Sequence, residues 1–475
     1  MNISGDICFR AVRARDRRFD GRFFSAVATT GIYCRPICPA RGARRENLRF
    51  FPSAAAAERA GFRPCLRCRP ERAPGIAPVD AVSRLVAAAV AGIEEHALSG
   101  ARVDDLAASL GVSDRHLRRV MAAELGVSPI ELAQTQRLLL AKRLLDETPL
   151  QQTQIAFASG FASVRRFNAL FKARYGLCPR TLRGRAAERE ILCCRLEFRP
   201  PLAWGNLLAY LGARAIAGVE AVDATHYRRT VAIGPYRGWV AVSLGAQRNA
   251  LCIELSRSLS PVIAAVLARL KDLFDLGAVP DAVGAHLSRD PALAPLVRRL
   301  PGLRVPGAFD GFETAARIVL GQQVSVRAAS TLAARLAQAC GEPIATPYAS
   351  LRLLTPTAAR IAAASTARLT ALGIVEARAR ALILLAQQIA LGKIRAAFVV
   401  DVDRAVADLQ SLRGFGPWTA QMIAMRVWRS PDAFPSGDLA LRRAAGARPL
   451  HTRAAAWRPW RAYAAHYLWQ SQGVS

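Results

Sequence analysis

Gly31-Ile-Tyr-Cys34-Arg-Pro-Ile-Cys38-Pro and, further along, Gly61-Phe-Arg-Pro-Cys65-Leu-Arg-Cys68 decide how the first part of this chain folds. The four cysteines form a C-x3-C pair and a C-x2-C pair with 26 residues between them. Each pair spans a short turn, so its two sulfurs can converge on one point. Two such turns complete a tetrahedral shell of four thiolates, and zinc is the metal this donor set suits best. A purely structural zinc knuckle uses the same pattern. Here Arg35, Arg41, Arg44, Arg45, Arg49, Arg63, Arg67 and Arg69 crowd the pairs, which directs the site toward an anion.

Beyond that stretch, 475 residues suffice for three or four domains, and 52% apolar content allows substantial cores. There are 66 Lys+Arg against 35 Asp+Glu, a formal charge of +31. That favours a polyanionic partner, although a general arginine richness accounts for part of the excess. Residues 1–72 alone hold 16 basic against 6 acidic residues. Cys8, Cys178, Cys193, Cys194, Cys252 and Cys340 follow no spacing, a pattern of reducing compartments rather than a disulfide framework. The start lacks a basic segment leading into an apolar one, and no apolar run reaches membrane-spanning length. Cytoplasmic localisation is expected.

Ala73-Pro-Gly-Ile-Ala-Pro78 reads as a linker. From Val79 to about Arg185, apolar residues recur at helical spacing. Two helix-turn-helix signatures lie inside. In the first, a short helix ends at Gly111, and Ser113 caps a second helix bearing Arg115, Arg118 and Arg119. In the second, Gly160-Phe161 makes the turn, and Arg165, Arg166 and Asn168 sit on the following helix, with Phe167, Leu170 and Phe171 as core. One long helix, about Ile130–Asp146, joins them. From about Glu190 short alternating runs (Arg195–Leu202, Tyr236–Ser243, Leu251–Ser256) read as strands, and a helix follows Pro261. Pro301 opens a helical block punctuated by Leu412-Arg-Gly414-Phe-Gly416-Pro417-Trp418, a glycine hairpin between two helices. Its backbone N–H groups can bind phosphate without reading sequence. The expected fold class is multidomain and mainly α. It comprises a small four-cysteine zinc domain over 1–72, an all-α double helix-turn-helix domain over 79–185, an α+β domain over 190–300, and an all-α helix-hairpin-helix domain over 301–472.

Three resemblances sharpen this. Thr29-Thr-Gly-Ile-Tyr-Cys34-Arg-Pro-Ile-Cys38-Pro, Arg45-Glu-Asn-Leu and Gly61–Cys68 resemble the N-terminal zinc domain of the Ada-type methylation-sensing proteins. That likeness implies one Zn2+ on Cys34, Cys38, Cys65 and Cys68, with Cys34 also accepting a methyl group from a methylphosphotriester in DNA. It makes Arg35, Arg45 and Arg67 candidates for contact with the DNA backbone. The paired helix-turn-helix motifs resemble the AraC-type DNA-binding domain, implying that two helices enter successive major grooves. Arg195 to Trp469 resembles the AlkA-type 3-methyladenine DNA glycosylases, through Thr225-His-Tyr-Arg-Arg-Thr230, Leu320-Gly-Gln-Gln323-Val-Ser, the hairpin, Phe434-Pro-Ser-Gly-Asp438 and Trp457-Arg-Pro-Trp460.

The glycosylase likeness implies hydrolysis of an N-glycosidic bond after base flipping. Asp438 is the implied catalytic carboxylate; helix N-capping is the plain alternative and is compatible with it. Trp418 and Trp469 are implied to line the base pocket, with core packing as their alternative, and Gly414 and Gly416 to meet phosphate. Trp418 stands where bifunctional relatives carry a lysine, and no Lys occurs between 394 and 475, so strand-cleaving lyase chemistry is not expected. Two positions depart from the familiar pattern: Gln323 replaces an aliphatic wedge, and Met422 replaces a pocket tyrosine. No Pro-Cys-His-Arg tetrapeptide of an alkylguanine methyltransferase occurs. The expected protein is a methylation-responsive activator fused to a monofunctional alkylpurine glycosylase. Its expected partners are alkylated and promoter duplex DNA and RNA polymerase, and it is expected to act as a monomer. The alternative is an activator whose glycosylase half only grips DNA.

Overall fold

The computed structural model describes residues 3–75, 83–96, 103–183, 191–246, 249–445 and 450–471. The chain gathers into two compact units. The first comprises 1–200, 245–268 and 276–278; the second comprises 201–244, 269–275 and 279–475. Segment 190–300 thus contributes strands to both.

In the first unit a four-stranded sheet runs in the order Leu48–Phe51, Phe24–Val27, Ile32–Cys34, Arg63–Pro64. The hairpin between its central strands closes at Gly31, whose φ of 65° suits a residue without Cβ. Phe24, Ala26, Tyr33, Ala57 and Phe62 form a buried apolar cluster, and Cys8, Ala11 and Phe23 a second one. This domain therefore has a small core of its own beside its cysteine site. Of the expected linker, residues 76–78 lie outside the described residues.

The helix-turn-helix region follows its sequence pattern closely. Its helices are Arg84–His96, Val103–Ser109, Asp114–Leu125, Pro129–Glu147, Gln152–Ala158 and Val164–Tyr175. Ser113, Ser128 and Ser163 each cap a helix by accepting from a backbone N–H, and Ser128 with Glu131 completes a capping box. The strands Ile191–Glu197 and Ala250–Ser256 pair antiparallel in the same unit. The first was expected to continue to Leu202 and does not. Pro200 and Pro201 supply no N–H to extend a ladder, and buried Arg199 donates to the carbonyls of Asp20, Gly75 and Gly277.

The second unit holds an antiparallel sheet of Glu220–Val222, His226–Ile233 and Tyr236–Leu244, followed by helices to Ser471. The expectation of an all-helical region after 301 needs one correction: Glu342–Pro343 and Leu353–Leu354 form a short ladder. Gly218 bridges to Leu351 beside it, where an added Cβ would lie 2.9 Å from Leu353. No helix among the described residues is long and apolar enough to cross a membrane.

Candidate functional sites

Cys34 ends the strand Ile32–Cys34, and Cys38 follows one turn later, its N–H donating to the Arg35 carbonyl at 3.1 Å. Cys65 is brought alongside by its N–H bond to the Tyr33 carbonyl. The four Sγ atoms lie within 4.8 Å of one another, and Cys38 and Cys65 are 4.0 Å apart. A tetrahedral zinc with Zn–S of about 2.3 Å requires sulfurs spaced by about 3.8 Å, so this donor set fits one zinc ion. Cys65 and Cys68 are buried, whereas Cys34 and Cys38 are half-buried. Backbone N–H groups attend three sulfurs: Arg35 donates to Cys68 at 3.3 Å, Arg67 to Cys65 at 3.4 Å, and Ala40 to Cys38. Such bonds withdraw electron density from a thiolate. None of these three donors is directed at Cys34.

The arginines around the cluster divide. Arg45 and Arg67 are exposed; Arg45 lies over the rings of Phe9 and Phe50, at 5.7 and 5.3 Å. Arg35, expected at the DNA surface, is instead buried at 2% exposure. Its guanidinium is paired with Asp20 and with Glu197 (2.7 Å) and donates to the Cys68 carbonyl. Burial works against its charge, but Asp20 and Glu197 prevail and hold it firmly protonated. Its direction is set by those two carboxylates, so it faces inward and not toward phosphate.

On the helix Asp114–Leu125, Arg115 and Arg119 are exposed, while Arg118 is half-buried and pairs with Asp114 at 2.7 Å. On Val164–Tyr175, Arg165 and Arg166 are exposed, and the Asn168 side-chain oxygen accepts from Gln152 at 2.5 Å. Buried and partly buried polar groups fasten the zinc domain to these helices. Buried Glu58 accepts from Tyr33 (3.0 Å), Thr135 (3.0 Å) and Tyr175 (3.4 Å). Lys142 pairs with Glu71, and Arg69 and Arg72 pair with Asp146.

In the second unit, the helix Pro417–Arg426 starts at Gly416, immediately after the turn at Gly414, whose φ is 94°. A Cβ on Gly414 would meet that of Ala381 at 2.9 Å, so the sharp turn and the close approach both call for glycine. Trp418 and Met422 lie one turn apart on this helix, Trp418 partly exposed and Met422 buried. Asp438 caps the next helix, its Oδ1 accepting from the N–H groups of Ala440 (3.0 Å) and Leu441 (3.1 Å). The Trp469 indole N–H also reaches Oδ1 at 3.1 Å, and the Trp418 indole N–H reaches Oδ2 at 3.0 Å. Capping and the two indole contacts therefore coexist on one carboxylate. With three donors on Oδ1 and one on Oδ2, Oδ2 keeps acceptor capacity. Gln323 is exposed at a left-handed φ of 54°, in the turn between the helices Gly311–Leu320 and Val326–Cys340.

Four stretches match known families. Residues 7–71 match the metal binding domain of Ada, 106–185 a helix-turn-helix domain, 193–310 the AlkA N-terminal domain, and 316–453 the HhH-GPD superfamily of base excision DNA repair proteins. A Mycobacterium tuberculosis protein described as a probable bifunctional transcriptional activator/DNA repair enzyme AlkA is 38% identical, across 99% of this chain and 97% of its own. The chain belongs to this family of bifunctional activator/repair proteins. The DNA-3-methyladenine glycosylase 2 of Escherichia coli is 40% identical over 58% of this chain and 97% of its own. A 3-methyladenine DNA glycosylase structure from Archaeoglobus fulgidus, 20% identical with a TM-score of 0.50, covers 58% of this chain and 96% of its own, a likeness of fold alone. DNA is the family's partner, and the four-cysteine site is its zinc site.

Several supporting residues of this family member escape sequence reasoning. Gln322 donates to the Gly414 carbonyl and to Thr419, both at 2.9 Å, and its own carbonyl accepts from Arg378 at 2.6 Å. It ties the Gln323 turn to the hairpin. Gln421 accepts from the Phe434 N–H at 2.9 Å, fixing the turn that presents Asp438. Tyr210 packs on His466, which packs on Trp469, with ring centroids at 5.2 and 4.9 Å. Arg426, on the helix of Trp418 and Met422, donates to the Tyr210 hydroxyl at 2.7 Å. Apart from the His466–Trp469 pair, one turn apart on the helix Arg461–Ser471, such links join residues well separated in the chain and have no local spacing to betray them.

Proposed function

We propose that this protein is a methylation-responsive transcription activator and a monofunctional alkylpurine DNA glycosylase in one chain. Its parts are taken as the zinc domain at 1–72, the double helix-turn-helix at 79–185, the α+β part at 190–300 and the helix-hairpin-helix part at 301–472. In the first reaction the Cys34 sulfur attacks the methyl carbon of a methylphosphotriester. A C–S bond forms, the C–O bond breaks, and its electron pair leaves as an ordinary phosphodiester, so no proton moves. Bound zinc keeps the thiolates deprotonated at neutral pH. The chain's own contribution is to quench the other three sulfurs by N–H donation and leave Cys34 the most reactive. Methylation removes one negative charge from the cluster, strengthening attraction to phosphate. Arg45 and Arg67 would meet the backbone, and Arg115, Arg118, Arg119, Arg165, Arg166 and Asn168 the operator.

In the second reaction Asp438 stabilises positive charge on the sugar as the C1′–N bond breaks and its electron pair leaves with the base. Oδ2 receives the proton of, or orients, the water that adds to C1′. Trp418, Trp469 and Met422 form the pocket for a cationic purine. Gly414 and Gly416 hold phosphate, and Gln323 takes the place of the displaced nucleotide. RNA polymerase as partner, action as a monomer and a cytoplasmic location complete the reading.

The observation that carries it is the Asp438 carboxylate held by the indole N–H groups of two residues that the glycosylase likeness assigns to the pocket. The test is release of free 3-methyladenine and 7-methylguanine from methylated duplex DNA. Wild type should release both, and Asp438→Asn should lose about 10²–10⁴-fold. Release by neither, with DNA binding intact, would favour an activator whose second half only grips DNA.

A further inference from the structure

Arg35 stands between two ligands of the cluster, and its backbone and side chain both serve that cluster. Its N–H donates to Cys68 Sγ, and its guanidinium donates to the Cys68 carbonyl. That guanidinium is clamped by Asp20 from the zinc domain and by Glu197, 162 positions along the chain. Glu197 ends the strand Ile191–Glu197, inside the stretch matched to the AlkA N-terminal domain. Two residues further on, buried Arg199 donates to the Asp20 carbonyl at 2.8 Å and to the Gly75 carbonyl at 2.5 Å. Asp20 is thus gripped at its carboxylate by Arg35 and at its carbonyl by Arg199. Residues 191–200 fall within the same compact unit as the cysteine site.

We propose that Glu197, contributed by the opening strand of the glycosylase half, is a positioning and charge-setting residue for methyl transfer at Cys34. The inference rests on the reading of Cys34 as methyl acceptor. Arg35 is a full cation beside a cluster whose reactivity depends on negative charge. With Asp20 alone it forms a neutral pair; with Glu197 the triad carries one net negative charge. In the transfer, charge leaves sulfur for the departing phosphodiester oxygen. Excess positive potential at the cluster stabilises the thiolates more than the transition state and slows the step. The same potential attracts the DNA backbone. Losing the Glu197 charge should therefore push rate and affinity in opposite directions, which mere loosening of the fold does not do. The methyl-acceptor site is accordingly completed by residues beyond the zinc and helix-turn-helix segments.

The experiment uses the full-length zinc-loaded chain and a duplex carrying one methylphosphotriester. It measures the single-turnover rate of methyl transfer separately from DNA affinity. Glu197→Gln keeps size and hydrogen bonding and should slow transfer by about 3- to 10-fold while affinity holds or rises. Glu197→Asp, which keeps the charge, should restore most of the rate. A wild-type rate in Glu197→Gln overturns the proposal. So does a parallel loss of rate and affinity in both variants, which would mark Glu197 as a structural tether only. Wild-type protein that accepts no methyl group overturns the Cys34 reading and this inference with it, an outcome distinct from the other two.

Discussion

Both candidate reactive centres are anions in a chain of formal charge +31, and they are held in opposite ways. The cysteine cluster is assembled from two short windows, and its donors are backbone N–H groups inside those windows: Arg67 and Ala40 act two positions from their sulfurs, and Arg35 reaches from one window to Cys68 in the other, 33 positions away. Asp438 draws its indole donors from 20 and 31 positions away. The chemistry proposed for each matches its support. Cys34 forms a thioether that ends its working life, so the site need only be built once, and backbone donors from its own two windows can hold the sulfurs. Asp438 must return unchanged after every base it releases, which calls for a carboxylate oriented by rigid groups that take no part in bond making. A consumable nucleophile and a reusable carboxylate can share a chain because each sits in its own compact unit.

Removing the metal is the strongest way to break this comparison. Chelation of the full chain should abolish methyl transfer, because the thiolates regain protons and the two cysteine turns lose their common centre. Base release should stay within about twofold of the zinc-loaded protein if the second unit keeps its fold when the first loses its metal. Parallel assays of both reactions on one stripped sample decide it. Base release that collapses along with methyl transfer would show that the second centre depends on the first.

The same contrast governs what the sequence reveals. Cys34, Cys38, Cys65 and Cys68, and the cap Ser113, are legible because ligand spacing and capping are properties of a few adjacent residues. Arg35 misleads for the same reason: lying next to a ligand, it reads as part of a basic face, whereas its partner Glu197 is 162 positions away and turns it inward. Glu58 sits unremarked in an alanine-rich helix, yet it gathers Tyr33, Thr135 and Tyr175. Asp438 is legible through its family resemblance, but nothing in its spacing shows that Trp418 and Trp469 point their N–H groups at it. Gln421, which fixes the turn that presents it, carries no motif, and Gln322 lies in a family stretch whose spacing says nothing of its contacts with Gly414 and Thr419. Local geometry is written in short windows; tertiary polar contacts are not.

Substituting the donors to Asp438 is a finer probe. Trp418→Phe and Trp469→Phe keep an aromatic face for the base and remove one N–H each. A hydrogen bond to a charged group contributes about 1.5–3 kcal/mol, so each change should lower kcat for base release by about 10- to 100-fold with KM little altered. Steady-state kinetics on a single-lesion duplex checks this. Unchanged kcat in both would mean that the caps at Ala440 and Leu441 alone hold the carboxylate, so that the second centre, like the first, relies on backbone donors.

Proton linkage should separate the two units by sign. Burial pushes the Glu58 carboxyl up to about 7 despite Arg174 nearby. Its contribution to the first unit is therefore complete below pH 4.5 and is lost as pH rises through 7. In the second unit, burial, aided by Arg426 and Arg214, holds His466 neutral well below its ordinary 6.5. That unit loses stability as pH falls below about 6.5, where the unfolded histidine takes up a proton. Unfolding followed between pH 5 and 8 should show slopes of opposite sign in the two units. Glu58→Gln should flatten only the first, and His466→Leu only the second. Slopes of one sign in both units would refute this opposition.

The smallest expected effect lies at Gln323, where stability and activity should part. A side chain at φ 54° carries left-handed strain of about 1 kcal/mol that glycine avoids. Gln323→Gly should therefore change stability by less than about 1 kcal/mol, in the stabilising direction, less whatever the freer unfolded chain takes back. The exposed side chain is also the group proposed to occupy the gap left by a flipped nucleotide, so the same change should lower base release several-fold. Gln323→Leu should keep the strain and recover the release, since an apolar wedge fills an unstacked step better than an amide. Thermal unfolding and base release measured on the two variants separate strain from function. If Gln323→Gly releases bases at the wild-type rate, the wedge is not Gln323, and the turn held by Gln322 and Arg378 then serves the hairpin alone, as a brace for Gly414.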